Sequence, residues 1–205
     1  MIDRLILVRH GSAGIDHRFR GRTDTPLDDL GVMQVGTLKN ALADFEIGKA
    51  FVSPILRTRQ TAKAIGQNFE ILENLQEVDF GQWDGLTFDE ISQRWPGLVD
   101  KWSQFDLDFA FPGGESLRDF TARVGACADD IINSDAKTVL AVTHGGVIRS
   151  MICHLLGLGA QNYLLFNASV ASISIVNIFP RGKGTLQQLN CTAHLHALKK
   201  DKLNG

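Results

Sequence analysis

Two apolar runs far apart in the chain end alike, and that pairing constrains the fold more than any other feature. Leu5-Ile6-Leu7-Val8 leads into Arg9-His10-Gly11, and Val139-Leu140-Ala141-Val142 leads into Thr143-His144-Gly145-Gly146. Short unbroken apolar runs bounded by polar residues read as strands buried on both faces, the kind parallel sheets contain. A strand that stops at polar residues and a glycine delivers them to the carboxyl edge of its sheet, where open α/β folds bind ligands. Either run alone reads equally well as a strand meeting a turn. As parallel neighbours they bring both imidazoles to one crevice. The stretch from Val147 to Leu156 reads as a helix, and its free N–H groups would make that crevice an anion site.

The segments between follow an α/β alternation. Residues 15–31 form a polar loop with Arg18, Arg20 and Arg22; Arg18 and Arg22 read as solvated, and Arg20, beside Gly21, as the one facing an anion. Leu27 to Phe45 has helical spacing, and Ala50-Phe51-Val52 is a short strand. Ser53-Pro54 reads as a helix start, with Ser as N-cap and Pro at the first helical position. Arg57 then falls in the first turn, with Arg59 just after it. Cations there oppose the helix dipole at a cost of about 0.3–1 kcal/mol each, and a bound anion reverses that sign. A strand is expected within 71–78, ending at Glu77. Residues 87–105 read as helical on either side of Trp95-Pro96-Gly97, with aromatics suited to a core. Glu115-Ser116 opens a helix whose apolar stripe includes Leu117, Phe120, Val124, Cys127 and Ile131. Ser172 to Ile178 alternates as a half-exposed strand, and Leu186 to Leu189 pairs with it as a hairpin across Arg181-Gly182-Lys183-Gly184. The tail from His194 onward reads as solvated. The whole predicts one domain over residues 1–205, a three-layer α/β/α sandwich with a mostly parallel central sheet.

Composition narrows the partners. A formal charge of −2 gives no reason to expect nucleic acid or an anionic membrane. No uncharged apolar run approaches the ~20 residues of a membrane span. The first residues lack a basic-then-apolar signal region, which reads as cytoplasmic. The three cysteines (Cys127, Cys153 and Cys191) form no CxxC pair, and the first two fall on apolar helix faces as small core residues. There is no HExxH or paired-Cys pattern, so neither metal nor cofactor is expected. The expected partner is a small phosphate ester, and the oligomeric state is open between monomer and homodimer.

The residues that would meet at the crevice are Arg9, His10, Arg57, Glu77 and His144. Arginines make a planar, multi-donor cradle suited to phosphate. A neutral imidazole is a competent nucleophile, and neighbouring guanidinium groups disfavour its protonation. A carboxylic acid beside it would hand a proton to the leaving oxygen and later take one from water. Cations already neutralise the phosphoryl oxygens, so the chemistry calls for no metal.

Arg9-His10-Gly11, Ser53-Pro54 with Arg57, Gln60, Thr61 and Ala62, Glu77 with Phe80-Gly81, and Thr143-His144-Gly145-Gly146 resemble, in order and from residue 5 to about 178, the histidine phosphatase superfamily, also called phosphoglycerate mutase-like. The resemblance implies that His10 is the phosphohistidine nucleophile, that Arg9, Arg57 and His144 hold the phosphoryl group, and that Glu77 is the proton donor and acceptor, with Asp79 as its rival. Ser12, Ala13 and Asp16 stand where the family often carries Glu, Thr and Asn; the first two are expected to alter loop packing, and Asp16 replaces an amide donor by a negative charge. Glu77 to Gly85, the Trp-rich stretch after it and Pro112-Gly113-Gly114-Glu115-Ser116 resemble the alpha-ribazole phosphatase branch, which removes the 5′-phosphate of alpha-ribazole in cobalamin synthesis. Arg20, Gly21, Trp83 and Glu115 are then the candidates for contacts to the rest of the substrate. Trp83, Trp95 or Trp102 could stack on the benzimidazole, although Trp95 and Trp102 read first as core. The same features occur in fructose-2,6-bisphosphatase-like and broad-specificity phosphatases. Phosphoglycerate mutases carry longer insertions, and a non-catalytic phospho-ligand binder would need neither nucleophile nor acid.

Overall fold

The structure is a computed structural model that describes residues 1–14, 17–180, 182–196 and 198. In chain order its elements are β1 (Arg4–Arg9), α1 (Asp29–Gly36), α2 (Leu38–Ala41), β2 (Lys49–Val52), α3 (Leu56–Ile65), β3 (Glu70–Ile71), α4 (Phe88–Arg94), α5 (Pro96–Ser103), α6 (Leu117–Ile132), β4 (Thr138–Thr143), α7 (Gly145–Leu156), β5 (Ile173–Ile178) and β6 (Gly184–Cys191). The strands form one sheet in the order β3-β2-β4-β1-β5-β6. β1, β4, β2 and β3 run parallel, while β5 and β6 are antiparallel to their neighbours.

Side chains on a strand alternate between faces, and β1 shows what each face meets. Leu5 and Leu7 join a core with Val124, Ala128 and Ile131 of α6 and Val147, Met151 and Ile152 of α7. Ile6 and Val8 join a second core with Val35 of α1, Leu38 of α2, and Ala62 and Ile65 of α3. Helices therefore cover both faces, and the three-layer α/β/α sandwich expected from the sequence is the architecture found. Cys127 and Cys153 are buried, and desolvation pushes both thiols up to about 11. Among the described residues no helix is long and apolar enough to cross a membrane.

Several local expectations are corrected. The helix expected over 27–45 divides at Thr37 into α1 and α2. Asp28 caps α1 by accepting the Gly31 N–H, and Gly36 with the Thr37 hydroxyl, which donates to Gln34 O, ends it. Ser53 is not an N-cap, since α3 begins at Leu56 after Ile55 and Asp24 accepts the Leu56 N–H instead. The strand expected within 71–78 shrinks to Glu70–Ile71. Beyond it the Arg123 guanidinium donates to the carbonyls of Asn74 and Gln76 and draws the chain off the sheet edge into a 3₁₀ turn. β5 is buried on both faces, because Ser172 and Ser174 are as inaccessible as Ile173 and Ile175. The hairpin partner runs over the whole of Gly184–Cys191; Arg181 in its turn lies outside the described residues. The start of the tail is docked, with His194 Nε2 2.9 Å from Ala171 O and Leu195 buried.

The Trp-rich stretch joins the core that also holds the apolar stripe of α6. Trp83 is fully buried among Phe19, Trp95, Trp102, Phe109 and Phe111, mostly in edge-to-face or tilted contacts. Trp83→Ala is expected to lower the unfolding free energy by about 3–5 kcal/mol. Chemical denaturation checks this as a fall in midpoint at constant m-value.

Candidate active site

The parallel register of β1 with β4 sets Arg9 beside Thr143, so His10 and His144 leave adjacent strands at the same level. The His10 N–H donates to Thr143 O at 3.0 Å, which extends the ladder to the imidazole-bearing residue. The two rings lie 5.2 Å apart between centroids. Each ring's tautomer follows from its neighbours. His10 Nδ1 is 2.7 Å from Gly11 O, an acceptor only, so Nδ1 carries the proton. The lone pair is then at Nε2, where it accepts Arg57 Nε at 3.2 Å. His144 Nδ1 is 3.1 Å from Arg57 Nη2, a donor only, so its Nε2–H faces Ser53 Oγ at 2.8 Å.

Arg57 joins the two histidines. Its guanidinium is 1% exposed and also donates through Nη1 to Thr23 O at 2.9 Å and through Nη2 to Gly21 O at 2.7 Å. Those carbonyls are themselves placed by Asp84, which accepts the N–H groups of Gly21 and Thr23 and the Thr23 hydroxyl. Burial lowers the Arg57 pKa to about 10, with Glu77 and Asp84 opposing the fall, so it stays charged at neutral pH. Thr61, one turn on in α3, accepts the Gly11 N–H and donates to Arg57 O.

Glu77 reaches the same crevice from the loop beyond β3. Its Oε2 accepts the Gly146 N–H at 3.0 Å and its Oε1 the Val78 N–H at 3.0 Å. A side chain at Gly146 would push that carboxylate from its place. Arg9 lies against Gly145 and donates through Nη1 to Ala168 O at 2.6 Å, while its Nε is buried with no hydrogen-bond partner among the described residues. Burial pushes the pKa of both imidazoles well below the ordinary histidine value. The positive charges of Arg9 and Arg57 press both further in that direction, and for His10 the Gly11 carbonyl opposes it only in part. Five residues singled out in the sequence, Arg9, His10, Arg57, Glu77 and His144, are thus assembled in one place.

Arg57 and His144 are buried against His10, while Arg9, His10 and Glu77 line a cleft of about 740 Å³. Its walls include Arg20, Phe19, Phe80, Trp102, Phe105 and Phe120. Arg20 faces the site as expected, and its charge adds to the depression at His10. Gly21 does not face the cleft; its peptide groups hold Arg57 and bind Asp84. Trp83 is sealed in the aromatic core behind the wall, and Trp102 is the tryptophan that reaches the cleft. Glu115 is turned to Arg123, which it meets at 2.8 and 2.9 Å, and so braces the loop that carries Glu77. Asp79, the rival acid, accepts the Gly81 N–H within its own loop. Arg22, expected in solvent, lies 3.6 Å from Asp79 and 3.7 Å from Glu115. Ser12 and Ala13 are buried, and Ser12 ties the first loop to Asp28 at 2.6 Å; Asp16 lies outside the described residues. Sequence reasoning missed Ser53, Asp84, Arg149 and Tyr163. Only Arg149 left a signal, a cation one helical turn after a Gly-Gly helix start.

Residues 5–192 match the Histidine phosphatase superfamily (branch 1). A bifunctional protein of Mycobacterium tuberculosis is 34% identical over 94% of this chain, which spans 55% of that protein; the chain thus covers about half the length of such relatives. Phosphoserine phosphatase 1 of Hydrogenobacter thermophilus is 30% identical over 94% of both chains. The crystal structure of the alpha-ribazole phosphatase from Shigella flexneri superposes with a TM-score of 0.80 at 27% identity, over 92% of this chain and 96% of that one. With the motif residues gathered at one sheet edge and the match running nearly end to end, the chain belongs to the histidine phosphatase superfamily.

Proposed function

We propose that this chain hydrolyses small phosphomonoesters through a phosphohistidine on His10. The observation that carries the reading is the tautomer of His10, whose proton is tied to Gly11 O while its Nε2 lone pair faces a guanidinium in a cleft. An arriving phosphoryl group takes over the Arg57 N–H groups, joined by Arg9 and His144, and frees that lone pair to attack phosphorus. Ser53 serves His144 in this exchange, since its hydroxyl can accept from Nε2–H or donate to Nε2 when the ring's proton moves to Nδ1. The P–N bond forms as the P–O ester bond breaks, and Glu77 gives its proton to the leaving oxygen. Glu77 then takes a proton from water, whose oxygen displaces the imidazole. Inorganic phosphate leaves, with His10 neutral and Glu77 protonated again.

The substrate beyond the phosphate is read from the walls. Phe19 and Trp102, set edge-to-face, give the cleft an aromatic side that suits the benzimidazole of alpha-ribazole 5′-phosphate, the substrate class named for the Shigella relative. A second reading is favoured by the cation at Arg149 on another wall and by the carboxylate of phosphoserine, named for the Hydrogenobacter relative.

With a radiolabelled ester and an alkaline quench, label is expected on residue 10, stable in base and lost in acid, and His10→Ala should lose both label and turnover. Label elsewhere, or turnover by that variant, refutes the mechanism. Trp102→Ala should lower kcat/KM for alpha-ribazole 5′-phosphate more than for p-nitrophenyl phosphate; equal losses remove alpha-ribazole from consideration. Attack needs neutral His10, and its pKa is depressed, so kcat/KM should hold as pH falls through about 6.5 and decline only below it. A pH–rate profile whose acid limb sits at or above that value contradicts the assignment.

A further inference from the structure

Arg149 is a cation of the cleft that the phosphoryl cradle does not use. Arg149 lies one turn into α7, its Nε donating to Gly145 O at 3.1 Å and its Cζ 4.3 Å above the Tyr163 ring. Both residues line the cleft together with Glu77 and Arg9. Among the described residues no carboxylate pairs with Arg149, and its two terminal nitrogens make no hydrogen bond. A cation standing beside Arg9 with no acid partner raises the local repulsion until an anion enters. Chemistry at the ester does not require this charge, because Arg9, Arg57 and His144 already surround the phosphoryl position.

We infer that Arg149, held flat against Tyr163, receives a carboxylate that the substrate carries beyond its phosphate ester. This rests on the phosphatase reading, takes its second substrate reading over alpha-ribazole 5′-phosphate, which carries no carboxylate, and names the substrate class as phosphorylated hydroxy acids. Three features fit. With Nε tied to Gly145 and one face on the ring, the guanidinium is fixed and turns its terminal donors outward, the fork that a carboxylate matches. A single arginine balances the one charge of a carboxylate, whereas a second phosphate would bring about twice that. Tyr163 remains a neutral phenol, its pKa raised to about 12 by burial, so its ring supports the cation without neutralising it.

O-phosphoserine and O-phosphoethanolamine differ by the carboxylate alone and supply the test. The ratio of their kcat/KM values in the intact protein should favour phosphoserine. Arg149→Met should cut that ratio about tenfold or more, the scale of one charge-assisted hydrogen bond, and Arg149→Lys should keep part of it. Arg149→Gln provides the same reading should the Met variant fold poorly. A wild-type ratio near one overturns the inference. So does a ratio left unchanged by the Met or Gln variant, whether turnover of both esters is kept or falls equally, since a merely structural role for Arg149 has that signature. Turnover of p-nitrophenyl phosphate by the wild type is measured alongside: its absence would count against the phosphatase reading itself, and the inference would fall with it.

Discussion

The site depends on keeping one guanidinium charged and out of water. Arg57 gives up nearly all its hydration and recovers it from fixed acceptors: the carbonyls of Thr23 and Gly21, Nε2 of His10 and Nδ1 of His144. A buried cation is tolerable only with such full satisfaction and with opposing charge at hand, here Glu77 and Asp84. The consequence runs both ways. The arginine orients both imidazoles and disfavours their protonation, and the imidazoles are two of the acceptors that make its burial affordable. Neither half of this arrangement is stable chemistry without the other.

Everything nearby positions those partners. Parallel pairing of β1 with β4 puts the two histidines level, and α7 begins immediately after the second of them. The free N–H groups of its first turn point to the same edge, and one of them holds Glu77. Asp84 fixes the loop whose carbonyls receive Arg57, and Glu115 with Arg123 fixes the loop that carries Glu77. Acids in this molecule therefore serve two different ends. Asp84 and Glu115 place backbone, and Glu77 alone of the three faces the cradle.

How much of this could be read in the sequence follows from the range of each cause. β1 and β4 were legible because an unbroken apolar run is a local signal, and Arg57 stood out because a cation in a first helical turn opposes a local dipole. The strand expected to carry Glu77 was not found, because a side chain from α6, Arg123, captures the carbonyls that would have stayed at the sheet edge. Ser53 has the look of an N-cap, but it spends its hydroxyl on His144 of a different strand, a contact no local pattern encodes. Trp83 and Trp102 share a composition-rich stretch, and which of them is buried depends on how that stretch packs into the core it shares with α6 and Phe19. Arg149 and Tyr163 meet only because the turn after α7 folds back over it.

That division separates what relatives share from what distinguishes them. The cradle is positioned by backbone register and a helix start, so in the proposed mechanism it acts on the phosphoryl group without regard to what the phosphate was attached to. Selectivity has to come from side chains standing farther out, on the loop after β1, on α5, and on the turn after α7, whose contacts are all tertiary. An aromatic wall and a fixed guanidinium recognise different things: a flat ring gains from the first by area and stacking, a carboxylate from the second by charge. In this chain the ring surface is spread over several side chains, Phe19, Phe80, Phe105 and Trp102. The charge is not spread in that way: Arg149 makes no ion pair among the described residues, and Arg9 beside it is assigned to the cradle. If Arg149 receives a substrate carboxylate, discrimination between substrates of equal phosphate chemistry turns on that side chain more than on the broader surface around it.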